Sequence, residues 1–226
     1  MPRDFKTRLT RRAVKSKIFL DEDLATSLTA YYELLSRWNR KINLTSLENP
    51  DEAIDRLLLE PVLAARAVAG AGVRRLIDVG SGGGSPAIPL ALALGPEIVL
   101  TMVEVKARKS AFLREAVRQL QLQNATVETS RYEELLTRPE LLENFDLLSM
   151  RAVRVEPRVL TTLQAFLRPG GHVLLFRGPT GPNAPQVIHP LDWESTIPLV
   201  EALQSRLSIL RKRSEGAGVP RGTLRV

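Results

Sequence analysis

The chain has 226 residues, 44% of them hydrophobic and 25% charged, enough for one sizeable α/β domain or for such a domain with a helical extension. It has no cysteine and only two histidines, His172 and His189, in unlike settings, which excludes disulfides and thiolate sites and leaves no metal centre to expect. The net charge of +7 gathers at the ends, with seven Lys or Arg against one Asp in residues 1–17 and six against one Glu in residues 204–226.

In chain order, residues 1–20 read as a flexible basic arm, without the apolar stretch that a secretory signal needs. Asp21-Glu22-Asp23 then favours a helix start through the helix dipole, and Leu24, Leu28, Tyr31, Leu34, Leu35 and Trp38 recur at helical spacing. The pattern breaks over Asn39–Thr45. A second helix is predicted from Asp51 to Ala69, with Pro50 just before it and Gly70 and Gly72 at its end. Residues 21–72 thus form an N-terminal helical extension.

From residue 73 the texture alternates. Leu76–Val79 is a short strand and Pro86–Leu94 a helix, too short and too proline-marked to span a membrane. Ile98–Glu104, Ala125–Thr129, Phe145–Met150 and His172–Phe176 read as further strands, separated by helices over Ala107–Leu122 and up to Phe166. Arg168–Gly171 reads as a turn. Ser195–Val200 and Arg206–Arg211 are the last strand candidates. Strands alternating with helices imply a doubly wound, mostly parallel α/β sheet over residues 73–213. Residues 214–226 are a basic tail. Basic ends on a mildly acidic body suit a polyanion such as RNA, or are simply solvated tails.

Ligands of such sheets bind beyond the carboxyl ends of the strands. The first strand ends in Asp78-Val79-Gly80-Ser81-Gly82-Gly83-Gly84-Ser85, where Gly80, Gly82 and Gly84 allow a tight turn and close approach to a ligand. Glu104 closes the next strand, where a carboxylate can accept from both hydroxyls of a ribose. This pair serves several nucleotide cofactors. The dinucleotide pattern G-x-G-x-x-G would need glycine at Ser85, and Asp78 suits the cationic methionine part of S-adenosylmethionine (AdoMet), so AdoMet is favoured while a dinucleotide stays open.

Trp38-Asn39-Arg40-Lys41-Ile42-Asn43-Leu44-Thr45 resembles the W-N-x-x-x-N-L-T signature of the GidB/RsmG family. Asp78–Leu90 resembles that family's glycine loop, Lys109–Arg114 its K-x-x-F-L-R helix, Ser130–Glu134 its R-x-E-E loop, Ser149–Val153 its S-R-A-V segment and Phe176-Arg177-Gly178 its L-K-G. The resemblance covers residues 20 to 212. It implies a Rossmann-like methyltransferase sheet and transfer of a methyl group from AdoMet to guanine N7 of 16S ribosomal RNA, free or in the small subunit. It further implies that Asp78, Gly80, Gly82, Gly84 and Ser85 meet AdoMet, that Glu104 holds its ribose, that Tyr132 and Glu133 border the adenine, and that Arg151 faces the methionine end or the RNA. No residue stands out as a catalytic acid or base; Arg151 is a candidate for positioning. Guanine N7 carries an in-plane lone pair, so alignment replaces a general base. A cytoplasmic protein acting as a monomer, without membrane or metal, is expected, with phosphate contacts from both basic ends.

The departures concentrate in the second helix. The family's R-H-x-x-D-S is here Arg56-Leu57-Leu58-Leu59-Glu60-Pro61, Arg177 replaces a lysine, and the loop carries Gly83, Ser85 and Ala87 where the family has proline, a bulkier residue and glycine. They leave three readings open: the 16S enzyme, a methyltransferase of another RNA or a small molecule, and an inactive RNA-binding relative.

Overall fold

The computed structural model describes residues 2–46, 49–151, 156–180 and 185–214. Seven strands form one sheet: β1 Arg75–Val79, β2 Val99–Val103, β3 Ala125–Glu128, β4 Phe145–Arg151, β5 Leu167–Arg177, β6 Leu191–Pro198 and β7 Arg206–Lys212. Their order is β3-β2-β1-β4-β5-β7-β6. Strands β1 to β5 run parallel, and β7 is antiparallel to β5 and β6. The chain reverses its course across the sheet between β1 and β4, so the loops after them part there and leave a crevice.

Successive residues of the central strands face opposite sides, as pleating requires. Leu76, Leu147 and Leu174 enter one core, while Ile77, Leu148 and Leu175 enter the other. Helices α1 Pro2–Lys15, α2 Glu22–Asn39, α3 Pro50–Ile54, α4 Glu60–Val68, α5 Ala87–Leu94 and α6 Ala107–Gln119 lie on the first face; α7 Tyr132–Leu135 and α8 Pro157–Leu163 lie on the second.

The first segment corrects the sequence reading. Residues expected to be a flexible arm form α1, because Leu9 and Ala13 share one helical face and are buried. Phe5 stacks on Tyr32 of α2 with ring centroids 4.2 Å apart. Charge density at the other positions hid that stripe. Arg8 pairs with Asp51 at 2.6 Å, Arg12 pairs with Asp51 at 3.2 Å and with the fully buried Asp55, and Lys6 pairs with Glu22.

Arg168–Gly171, expected as a turn, lies within β5. Pairing shifts register between Phe145 opposite Leu167 and Leu147 opposite His172. The extra residues are taken up as an irregularity at Gly170 (φ +80°) and Gly171, whose missing side chain clears the carbonyls of Asp146 and Arg168. The strand expected at Ser195 starts earlier, at Leu191, where it pairs with Lys212. Ala152 and Val153 of the S-R-A-V segment, part of the loop after Gly178, and nearly all of the basic tail lie outside the described residues.

Candidate cofactor site

The loop after β1 is anchored from below and from both sides. Gly80 and Ser81 donate to the Val103 carbonyl at 2.9 and 3.0 Å, so the loop crosses over the end of β2. Gly80, Gly82 and Gly84 all have positive φ, a conformation costly for side chains other than glycine. A Cβ on Gly84 would meet Ile88 Cδ1 at 2.7 Å, so that glycine packs against the helix beneath. A Cβ on Gly80 would enter open space, which is the side a ligand can approach.

Glu104 sits just past β2, 6% exposed. Its Oε2 accepts from Gly82 N at 2.9 Å and its Oε1 from Lys106 N at 2.8 Å. Each oxygen keeps a lone pair, and the backbone bonds fix the carboxylate beside the loop. Asp78 is buried and accepts from the Ser149 hydroxyl of β4 at 2.5 Å. Burial, which disfavours the charged form, raises its carboxyl pKa to about 6, against the opposing hydrogen bonds of Ser149 and Ser81. At 1% exposure Asp78 presents no surface to the crevice, and the loop lies between it and solvent.

The helical extension completes the loop's support. The hydroxyl of Tyr31, wholly buried in α2, donates to the Gly83 carbonyl at 2.6 Å. Trp38 meets Phe112 of α6 edge-on, with centroids 5.8 Å apart. Asn39 accepts from Leu44 N and Thr45 N and donates to the Thr45 carbonyl at 2.8 to 3.0 Å. These bonds curl residues 40–45 back so that Leu44 lies against Gly83. In the W-N-x-x-x-N-L-T segment, Trp38 and Asn39 are thus structural, while Asn43 is exposed.

Between α3 and α4 the helix widens into a π-turn, Asp55–Leu59, in which Glu60 N donates to the Asp55 carbonyl. Pro61 follows and has no N–H to give to the carbonyls of Arg56 or Leu57. Other groups supply those bonds. Arg151 Nη2 donates to the Arg56 carbonyl at 2.9 Å and Ser85 Oγ to the Leu57 carbonyl at 2.9 Å. Arg151 also pairs with Glu60, 1% exposed, at 2.5 Å and lies 4.8 Å from the centre of the Phe176 ring. Two of the residues that set this chain apart, Glu60 and Pro61, are thereby tied to the loop and to β4.

The structure brings Asp78, Gly80, Gly82, Gly84, Ser85, Glu104 and Arg151 to one edge of the sheet. The hydroxyl of Ser85 is spent on Leu57, so the ligand contact implied for that turn falls to its backbone. Tyr132 and Glu133 open α7, directly after β3 and on the far side of the sheet from α6. Sequence reasoning missed Tyr31, which looked like one more apolar position; a buried phenol needs a partner, and that was the available signal. It also missed Ser149 and Lys109, whose Nζ lies 3.9 Å from a Cβ built on Gly82. His172 faces Glu194 at 3.2 Å, and among the described residues no cluster could hold a metal ion. No helix among them is long and apolar enough to cross a membrane. A cavity of 540 Å³ lies at the opposite edge, between Asp21–Ser27 and the starts of β2 and β3, away from the loop.

Solved structures share this fold. An O-methyltransferase from Bacillus cereus in complex with SAH superposes with a TM-score of 0.62 at 16% identity, over 90% of this chain and 96% of that one. The O-methyltransferase TomG from Streptomyces achromogenes, in complex with SAM, gives 0.59 at 18% identity, over 87% and 92%. Fold and loop together define the class, a Rossmann-like sheet of the methyltransferase type. The model of the GidB family, described as rRNA small subunit methyltransferase G, matches residues 24–184. Proteins named ribosomal RNA small subunit methyltransferase G are similar, one from Stenotrophomonas maltophilia (strain R551-3) at 40% identity over 70% of this chain and 71% of its own length. Another, from Xylella fastidiosa (strain 9a5c), is 42% identical over 70% and 68%. The chain belongs to the GidB family, and its cofactor is AdoMet.

Proposed function

We propose that this protein transfers the methyl group of AdoMet to guanine N7 of 16S ribosomal RNA in the small subunit. The observation that carries this reading is the family match over residues 24–184, which spans the glycine loop, Glu104 and the segment from Trp38 to Thr45. The residues present fit the cofactor. Gly80 leaves an open approach, Glu104 is held where a ribose diol can bond it, and the ionised form of Asp78 places negative charge under a cationic ligand. Tyr132 and Glu133 are assigned to the adenine side. Bound AdoMet supplies an electrophilic methyl on its sulfonium.

The chain's own part is positioning. Asp78 is engaged by Ser149, Glu104 by two backbone amides and Glu60 by Arg151. Carboxylates so engaged suit a reaction in which the nucleophile already has its lone pair, and in which the barrier falls through alignment. Arg151, fixed by Glu60 and the Arg56 carbonyl, shapes the edge of the crevice where the base must enter. A base that takes part in chemistry has to leave its stack to do so. The working unit proposed is a single copy in the cytoplasm.

The test incubates the purified protein with methyl-labelled AdoMet and small ribosomal subunits from cells lacking the gene, followed by nucleoside mass spectrometry. One new 7-methylguanosine in 16S RNA is expected. Label in another RNA, or in none, overturns the reading.

A further inference from the structure

An RNA substrate has to reach the glycine loop across one face of the protein. The sequence pointed to the two basic ends, and the structure removes much of that charge from use. Lys6, Arg8 and Arg12 are bound to Glu22, Asp51 and Asp55. Lys212 is buried on Glu143 and the Leu167 carbonyl, Arg213 pairs with Asp192, and Arg206 donates to the Pro179 carbonyl.

A different set of cations stands beside the glycine loop. Arg40 and Lys41 follow the last turn of α2, and Lys106, Arg108 and Lys109 begin α6. The contact of Trp38 with Phe112 brings these two helix ends together, because each group lies within about two turns of it. Arg40, Lys41, Lys106 and Arg108 are exposed, and none of the five side chains has an acidic partner among the described residues. Lys109 reaches to Gly82 itself. The two helix ends lie on the face that carries α1 to α6. The exposed carboxylates Glu133 and Glu134 open α7 on the other face. Exposed Arg131 precedes them, so the start of α7 carries one positive and two negative groups, whereas the α2–α6 side carries cations alone at these positions.

We infer that the phosphate backbone of the substrate RNA crosses the shoulder formed by the end of α2 and the start of α6, with Lys41 and Arg108 as contacts, rather than binding along the basic ends. This rests on the proposed RNA substrate. Unpaired cations release counterions when they meet phosphate, whereas cations already in ion pairs gain little. The fold sets this shoulder beside the glycine loop, so a strand held there presents a splayed base to the crevice. The start of α7, with Arg131 offset by Glu133 and Glu134, offers the backbone no comparable cluster of cations.

The test compares two double variants with the same total charge, Lys41→Glu with Arg108→Glu and Lys15→Glu with Lys17→Glu. The second pair lies at the end of α1, where Arg66 of α4 bonds the Lys17 and Phe19 carbonyls, toward the opposite edge of the sheet. Binding to small ribosomal subunits is measured across a salt series, and AdoMet binding by calorimetry. For the shoulder pair, the slope of log affinity against log salt should fall by about 1.5 and affinity near physiological salt by at least ~10-fold, as loss of two phosphate contacts requires. AdoMet affinity should not move. The α1 pair should stay within about 2-fold of the unaltered protein. Equal effects of the two pairs, or a larger effect at α1, overturn the inference. Absence of methylation by the unaltered protein instead overturns the substrate reading on which it rests.

Discussion

The hydroxyl of Tyr31 donates to the carbonyl of Gly83, 52 residues further along the chain, at 2.6 Å. A residue of the helical extension thereby holds the cofactor loop of the sheet domain in shape. Removing only the oxygen, Tyr31→Phe, leaves a part-buried carbonyl without its donor, a cost of about 1–3 kcal/mol. The loop should loosen, and AdoMet affinity by calorimetry should fall roughly 5- to 10-fold, a share of that cost. Affinity for small ribosomal subunits, set by charge, should stay the same. Unchanged AdoMet binding would show that the loop keeps its form without α2.

Burial makes ionised Asp78 a cost to the fold. Its pKa of about 6 exceeds the ordinary value of 3.8 because it is buried, so the folded state holds this proton more tightly than the unfolded chain does. That contribution to stability is complete below about pH 3.8 and is lost as pH rises through about 6. At pH 7.5 the ionised carboxylate is a net cost of roughly 2–3 kcal/mol. Asp78→Asn should therefore raise the thermal midpoint at pH 7.5 and bind AdoMet more weakly. The unaltered protein's AdoMet affinity should climb between pH 5 and 7, and the variant's should not. A lower midpoint at pH 7.5 for the variant would refute the argument.

Glu104 meets the loop through Gly82 N and its own strand end through Lys106 N. Glu104→Gln keeps the shape but replaces one accepting oxygen by an amide donor, which faces a backbone N–H in either orientation. Hydrogen bonds to charged groups contribute about 1.5–3 kcal/mol, so AdoMet affinity should fall by about 10- to 100-fold. Equilibrium dialysis with labelled AdoMet measures it, and a change under 3-fold would remove Glu104 from the ribose.

Ser85 and Pro61 act as a couple through the Leu57 carbonyl. With Pro61 present, Ser85→Ala leaves that carbonyl without the hydroxyl donor and should cost about 1–2 kcal/mol in urea unfolding. With Pro61→Ala, residue 61 regains an N–H, the helix can serve the carbonyl itself, and the same Ser85→Ala change should cost less. A coupling of about 1 kcal/mol in this double-mutant cycle is expected. Additive effects would mean that Ser85 and Pro61 are not coupled through that carbonyl.

The parts that could be read from the sequence are those in which neighbouring residues make the feature. Asp78 to Ser85 and Glu104 are legible because a glycine loop and a strand-end acid are local patterns, with a ligand edge that follows from strand direction. Helix α2 is legible because its apolar positions recur every three or four residues. Helix α1 obeyed the same rule with only Phe5, Leu9 and Ala13, and its many charges masked them. Their partners Asp51 and Asp55 are some forty residues away.

By itself, then, the sequence determined the class of sheet, the edge that carries its glycine loop and the family, since periodicity, glycine placement and a specific signature suffice for these. Only the tertiary structure decided which charges are free and which carbonyls need a second donor. Pairing of Arg8 and Arg12 with α3 and the π-turn, donation by Arg151 and Ser85 around Pro61, and support of the loop by Tyr31 all join distant segments. Those contacts depend on how helices pack across the sheet, and no local pattern of residues encodes them.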